Sequence, residues 1–159
     1  MIYLVIFTFL GFMLGYFISN KYKYRYITYL SSKEFFLFYK LKISFAQEKL
    51  VEIISSYNFD KRLKDFSNEL IFYYKNKNII FDKNNLKLNY LKDNDREELV
   101  NYYTSLGKLG KEEEIEKVCN IINNIEKKEN EYYLDYKKYS IIYLKLFTIL
   151  GAVIGLLLL

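Results

Sequence analysis

The chain has 159 residues and carries 24 Lys and Arg against 19 Asp and Glu, a formal net charge of +5. With no His and a single cysteine, Cys119, it excludes an internal disulfide, zinc sites built from Cys and His, and triads that need an imidazole base. Every charged side chain lies between Lys21 and Lys145, so two uncharged apolar ends bracket one polar, basic middle.

The first segment, Met1 to Asn20, is almost entirely Ile, Leu, Val, Phe, Tyr and Gly. About 20 apolar residues at 1.5 Å rise match a hydrocarbon core about 30 Å thick, which predicts a transmembrane helix over 1–20. A secretory signal carries its positive charges ahead of the apolar run and a small-residue cleavage site behind it. Here Lys21, Lys23 and Arg25 follow the run, so it reads as an uncleaved anchor. Gly11 and Gly15 stand four apart, the spacing that lets membrane helices approach closely.

The run Lys21-Tyr-Lys23-Tyr-Arg25-Tyr26 interleaves cations with aromatic rings. Such a surface can stack nucleic acid, but Lys, Asn, Ile and Tyr are abundant along the whole chain. Beside a membrane span the run reads as an interfacial belt, with anionic lipid headgroups rather than nucleic acid as its partner.

Tyr22 to Ile54 holds no Gly or Pro and predicts continued helix, broken around Ser31-Ser32 and again near Ser55-Ser56. Leu37, Leu41 and Phe45 give it a buried face. Asp60 is a good N-cap for a further helix with the stripe Leu63, Phe66, Leu70 and Tyr73. Lys75 to Asn89, dense in Asn and Lys, reads as a loop. Asp95 with Glu98 resembles a capping box that opens a helix through Leu99, Tyr102, Tyr103 and Leu106, ended by Gly107 and Gly110. Gly107-Lys108-Leu109-Gly110-Lys111 shares letters with a phosphate loop, but its spacing is wrong and no strand precedes it. It reads as a helix–helix connection.

Glu112, Glu113 and Glu114 fall in the first turn of the last helix, where carboxylates meet the positive end of the helix dipole. They read as a solvated helix start rather than as acid catalysts, and as a surface that could face a partner. Ile115, Val118, Ile122 and Ile125 form the stripe that follows, continued by Tyr132, Tyr136 and Tyr139. Cys119 beside that stripe reads as a small apolar side chain. Nothing breaks the helix before Lys145, so it is expected to run from the domain into the membrane. Leu146 to Leu159 alone is about 21 Å of helix, too short to span. With Lys145 anchored at the interface by its long stem, Ile141 to Leu144 join the buried length and the segment spans. It carries the second glycine pair, Gly151 and Gly155. Lys21, Lys23 and Arg25 on one flank, with Lys137, Lys138 and Lys145 on the other, place residues 21–144 in the cytoplasm and both termini outside.

The order of features resembles the stage III sporulation protein AB family of endospore-forming bacteria. Tyr103-Thr-Ser-Leu-Gly107 before an acidic helix start is similar to that family's aromatic-x-x-Leu-Gly turn. Lys145, Leu150, Gly151, Gly155, Leu156 and Leu157 follow its C-terminal pattern. The resemblance implies a place in the mother-cell membrane around the forespore, in the transenvelope complex present during engulfment. It also implies a cytoplasmic domain similar to the helical domain of type II secretion and type IV pilus platform proteins, which contact a hexameric secretion ATPase.

The expectation is an all-α protein: a helical bundle (21–144) flanked by transmembrane helices (1–20 and 145–159). Its role is that of a non-catalytic platform without metal or cofactor. The expected partners are the membrane, other stage III channel subunits and a secretion-type ATPase, with a homo-oligomer left open. A membrane-tethered adaptor unrelated to an ATPase is the alternative.

Overall fold

The computed structural model describes residues 1–45, 48–76, 81 and 88–158. They form α1 (Ile2–Phe45), α2 (Leu50–Ser56), α3 (Lys64–Lys75), α4 (Asp93–Thr104) and α5 (Lys111–Leu157), with no strand among them. The all-α class read from the residues is the class observed. Two compact units result, one of residues 1–27 with 129–159 and one of residues 28–128.

In the second unit, helix α1 passes through Ser31 and Ser32 without the expected break, and both serines are buried. Serine costs well under 1 kcal/mol in a helix interior, too little to stop one that lacks Gly and Pro there. The buried face is Thr28, Ser32, Phe35, Phe36 and Tyr39. The expected face of Leu37, Leu41 and Phe45 instead points outward, 43 %, 59 % and 85 % exposed. Both sets fit helical spacing, and the set with the larger rings wins because aromatic side chains bury the most area.

Helix α1 stops at Phe45 rather than running to Ile54, and α2 is a separate helix entered from an extended Lys49 (φ −69, ψ 142). Asp60 is not an N-cap. Its carboxylate accepts from the Arg62 N–H at 3.0 Å and the Arg62 guanidinium at 3.1 Å, and its carbonyl accepts from the Leu63 N–H at 2.8 Å. These bonds close a turn, and α3 begins after it with Leu63, Phe66 and Leu70 buried and Tyr73 half-buried. The loop expected over 75–89 lies largely outside the described residues.

The capping box at Asp95 is absent as well. Lys92 precedes α4 and makes no side-chain cap. Asp95 sits in the first turn, buried, with Oδ1 2.9 Å from the Lys128 ammonium, while Glu98 accepts from the Tyr102 hydroxyl one turn on. Leu99, Tyr103 and Leu106 are buried as expected, and Tyr102 is half-buried. Helix α4 ends at Thr104, and Gly107 follows at φ 69, a left-handed conformation that glycine adopts without a Cβ clash.

Helix α5 starts with all three glutamates in its first turn, but only Glu112 and Glu113 are solvated. Glu114 is 3 % exposed, and its Oε1 accepts from the Gly107 N–H at 2.8 Å and the Tyr39 hydroxyl at 3.3 Å. A carboxylate with these donors is part of the core, not of a surface cap. The core face of α5 here is Val118, Ile121 and Ile125, with Ile115 and Ile122 at its half-buried edge. Tyr103 lies at the centre, its ring 4.9 Å from Phe36, 4.9 Å from Phe66 and 5.2 Å from Phe35. Each ring so buried contributes on the order of 2–3 kcal/mol.

Candidate functional site: a glycine seam and its tyrosine belt

The first unit brings together the N-terminal part of α1 and the C-terminal part of α5, the two helices long and apolar enough to cross a membrane. In a hydrocarbon medium apolar side chains gain nothing by leaving the solvent, so such helices associate through close packing and polar contacts. All four glycines lie on the contact. A Cβ on Gly11 would meet the Phe147 carbonyl oxygen at 2.2 Å, and one on Gly151 would meet the Phe7 carbonyl oxygen at 2.2 Å. A Cβ on Gly155 would stand 2.6 Å from Leu4 Cα, and one on Gly15 3.0 Å from Leu144 Cα. The atoms in the way are main chain, so no rotamer change could make room.

The hydroxyls of Thr8, Thr148, Ser19 and Ser140 find their partners within the pair. The Thr8 hydroxyl donates to the Leu4 carbonyl at 2.7 Å and Thr148 to Leu144 at 2.7 Å. Ser19 and Ser140 join their hydroxyls across the two helices. This cross-link was invisible to sequence reasoning, since two lone serines 121 residues apart carry no pattern.

Beyond the serines the seam changes from glycine to tyrosine. The Tyr22 ring stands 5.6 Å from Tyr139 and 5.7 Å from Tyr143, and Tyr26 stands 5.3 Å from Tyr133 and 6.1 Å from Tyr136. The Arg25 guanidinium lies over Tyr22 at 5.7 Å and over Tyr132 at 5.9 Å. Lys138 lies 5.1 Å from the Tyr139 ring centre and Lys137 6.0 Å from that of Tyr133. Lys21 and Lys23 are exposed and Arg25 half-buried. Such a collar, apolar at the ring body and wet at the hydroxyl, has the character of a membrane–water interface. Lys145 lies six residues beyond Tyr139 and is exposed.

Among the described residues no cluster of His, Cys, Asp or Glu could hold a metal, and Cys119 is a half-buried free thiol. Glu112 and Glu113 stand in the other unit, exposed at the start of α5, and the burial of Glu114 removes it from any surface a partner could touch.

No curated protein and no solved structure matches the chain. The family model for stage III sporulation protein AB (spore_III_AB) matches residues 1–159, its whole length. Two apolar helices with a cationic tyrosine collar, joined to an all-helical domain, fit that match, and the chain belongs to the stage III sporulation protein AB family.

Proposed function

We propose that this protein is a membrane platform subunit of the sporulation channel between mother cell and forespore, and that its cytoplasmic domain docks a secretion-type ATPase. Membership of the family gives it a role in sporulation, and that family is not a known enzyme family. The observation that carries the platform reading is the glycine seam. A helix pair closed on itself through main-chain contact is suited to anchoring a domain, and it does not line a polar path. Other channel subunits in the same membrane are its further partners.

The exposed Glu112 and Glu113 at the start of α5 are the acidic surface we assign to the ATPase. The double variant Glu112→Lys/Glu113→Lys opposes the helix dipole by about 0.3–1 kcal/mol per residue, which a domain of this size tolerates. It is expected to stay helical by circular dichroism, to accumulate in the membrane, and to lose the ATPase on pull-down. Retention with undiminished affinity would move the docking site elsewhere. Failure of the wild-type protein to retain any ATPase would sink the platform reading.

A further inference from the structure

The apolar face of the helix pair carries an open groove of about 330 Å³ lined by Phe12, Leu144, Lys145, Thr148 and Ile149. We infer that this groove holds one anionic phospholipid, an acyl chain lying along it and the phosphate resting on the Lys145 ammonium. The inference rests on reading the two apolar helices as membrane spans.

Three observations choose the occupant. The lining is apolar apart from Lys145 and Thr148, and the Thr148 hydroxyl is already committed to the Leu144 carbonyl at 2.7 Å. What remains is one cation at the edge of a hydrocarbon surface. Lys145 makes no hydrogen bond, ion pair or ring contact with another described residue, unlike Lys137 and Lys138, which lie over tyrosine rings. An ammonium among apolar side chains needs a counter-charge. The polarity also runs the right way. The cation stands on the side of the tyrosine collar, and Thr148 and Ile149 lie about 5–6 Å further along the helix, away from it. Charge toward the interface and hydrocarbon away from it is the order of headgroup and chain in a phospholipid. A zwitterionic lipid would fill the same groove but bring a phosphate whose charge its own choline already offsets, and an uncharged lipid would leave the ammonium unpaired.

The test is native mass spectrometry of the full-length protein released from detergent after equilibration with phosphatidylglycerol or with phosphatidylcholine of identical chains. A single lysine near a membrane surface favours anionic lipid about fivefold. The wild-type protein is therefore expected to retain one phosphatidylglycerol about fivefold better than phosphatidylcholine. Lys145→Gln should bring the ratio close to one, Lys145→Arg should keep it, and Lys64→Gln, exposed on α3 in the other unit, should leave it unchanged. Ile149→Trp, which fills the groove, should lower retention of both lipids. An unchanged ratio in Lys145→Gln, or equal retention of both lipids by the wild type, would overturn the assignment. Carbonate washing of membranes separates the two levels. Inserted protein without lipid preference rejects the groove alone, whereas protein extracted by carbonate rejects the spans and the groove together.

Discussion

The Gly107 N–H donates to Oε1 of Glu114 over 2.8 Å, fastening the turn after α4 to the first turn of α5 through a buried carboxylate. The same oxygen accepts from Tyr39 of α1, so one side chain holds three separate pieces of chain. Removing it takes the acceptor from the buried Tyr39 hydroxyl, at about 1–3 kcal/mol, and from the part-buried Gly107 N–H, at about 1 kcal/mol. Glu114→Ala is therefore expected to destabilise the domain by about 2–4 kcal/mol, and Glu114→Gln by less because its amide oxygen still accepts. Glu112→Ala should stay within about 0.5 kcal/mol of wild type. Denaturant midpoints followed by near-ultraviolet circular dichroism check the ranking, and equal effects at positions 112 and 114 would contradict it.

Alkali should unfold the same domain. Burial raises the phenols of Tyr39, Tyr74 and Tyr103 well above their ordinary value of 10.0, and burial together with the Glu98 contact lifts Tyr102 to about 12. The folded state therefore holds protons that the unfolded state releases near pH 10. The associated stability is complete below pH 10 and is lost as pH rises above it. Absorbance at about 295 nm is expected to show these phenolates only together with the loss of helical signal. Their ionisation in a still-folded protein would refute this.

The glycine seam predicts a graded series. Gly11→Ala and Gly151→Ala place a methyl 2.2 Å from a carbonyl oxygen and should be the most disruptive, followed by Gly155→Ala at 2.6 Å and Gly15→Ala at 3.0 Å. The readout is a disulfide between Ser19→Cys and Ser140→Cys in a Cys119→Ser background, because the two hydroxyls touch in the native pair. Oxidation should be efficient with native glycines and fall in the stated order. Undiminished cross-linking in Gly151→Ala would show that the helices meet elsewhere.

How far these features could be read from the residues depended on how many patterns competed locally. The two spans and the glycine spacing stood out because Lys21 to Lys145 confines every charge. The stripe Leu63, Phe66 and Leu70 was equally legible, since polar residues separate its members. Helix α1 gave the wrong face because apolar residues surround it there, and either Phe35, Phe36 and Tyr39 or Leu37, Leu41 and Phe45 satisfies a helical period. Asp95 and Glu114 look like helix-start carboxylates, and what buries them comes from afar. The partners are Lys128, 33 residues away, and Tyr39, 75 residues away, and no local pattern records those distances.

The charge flanks predict sidedness. With Cys119→Ser as background, Ile2→Cys and Leu158→Cys should react with an impermeant maleimide added outside intact cells, whereas Ser55→Cys, exposed in the domain, should react only after lysis. Labelling of Ser55→Cys in intact cells would invert the orientation drawn from the lysine and arginine flanks.

Glycine has no rotamers to freeze, so closing the glycine part of the seam costs little side-chain entropy, and no atom of those four glycines titrates. The domain, by contrast, depends on buried phenols and on the Glu114 carboxylate. The two units should therefore part company in alkali. Above pH 10 the segment 28–128 would become a protease substrate while the fragments 1–27 and 129–159 stay paired in the lipid, so that the anchor outlasts the domain it carries.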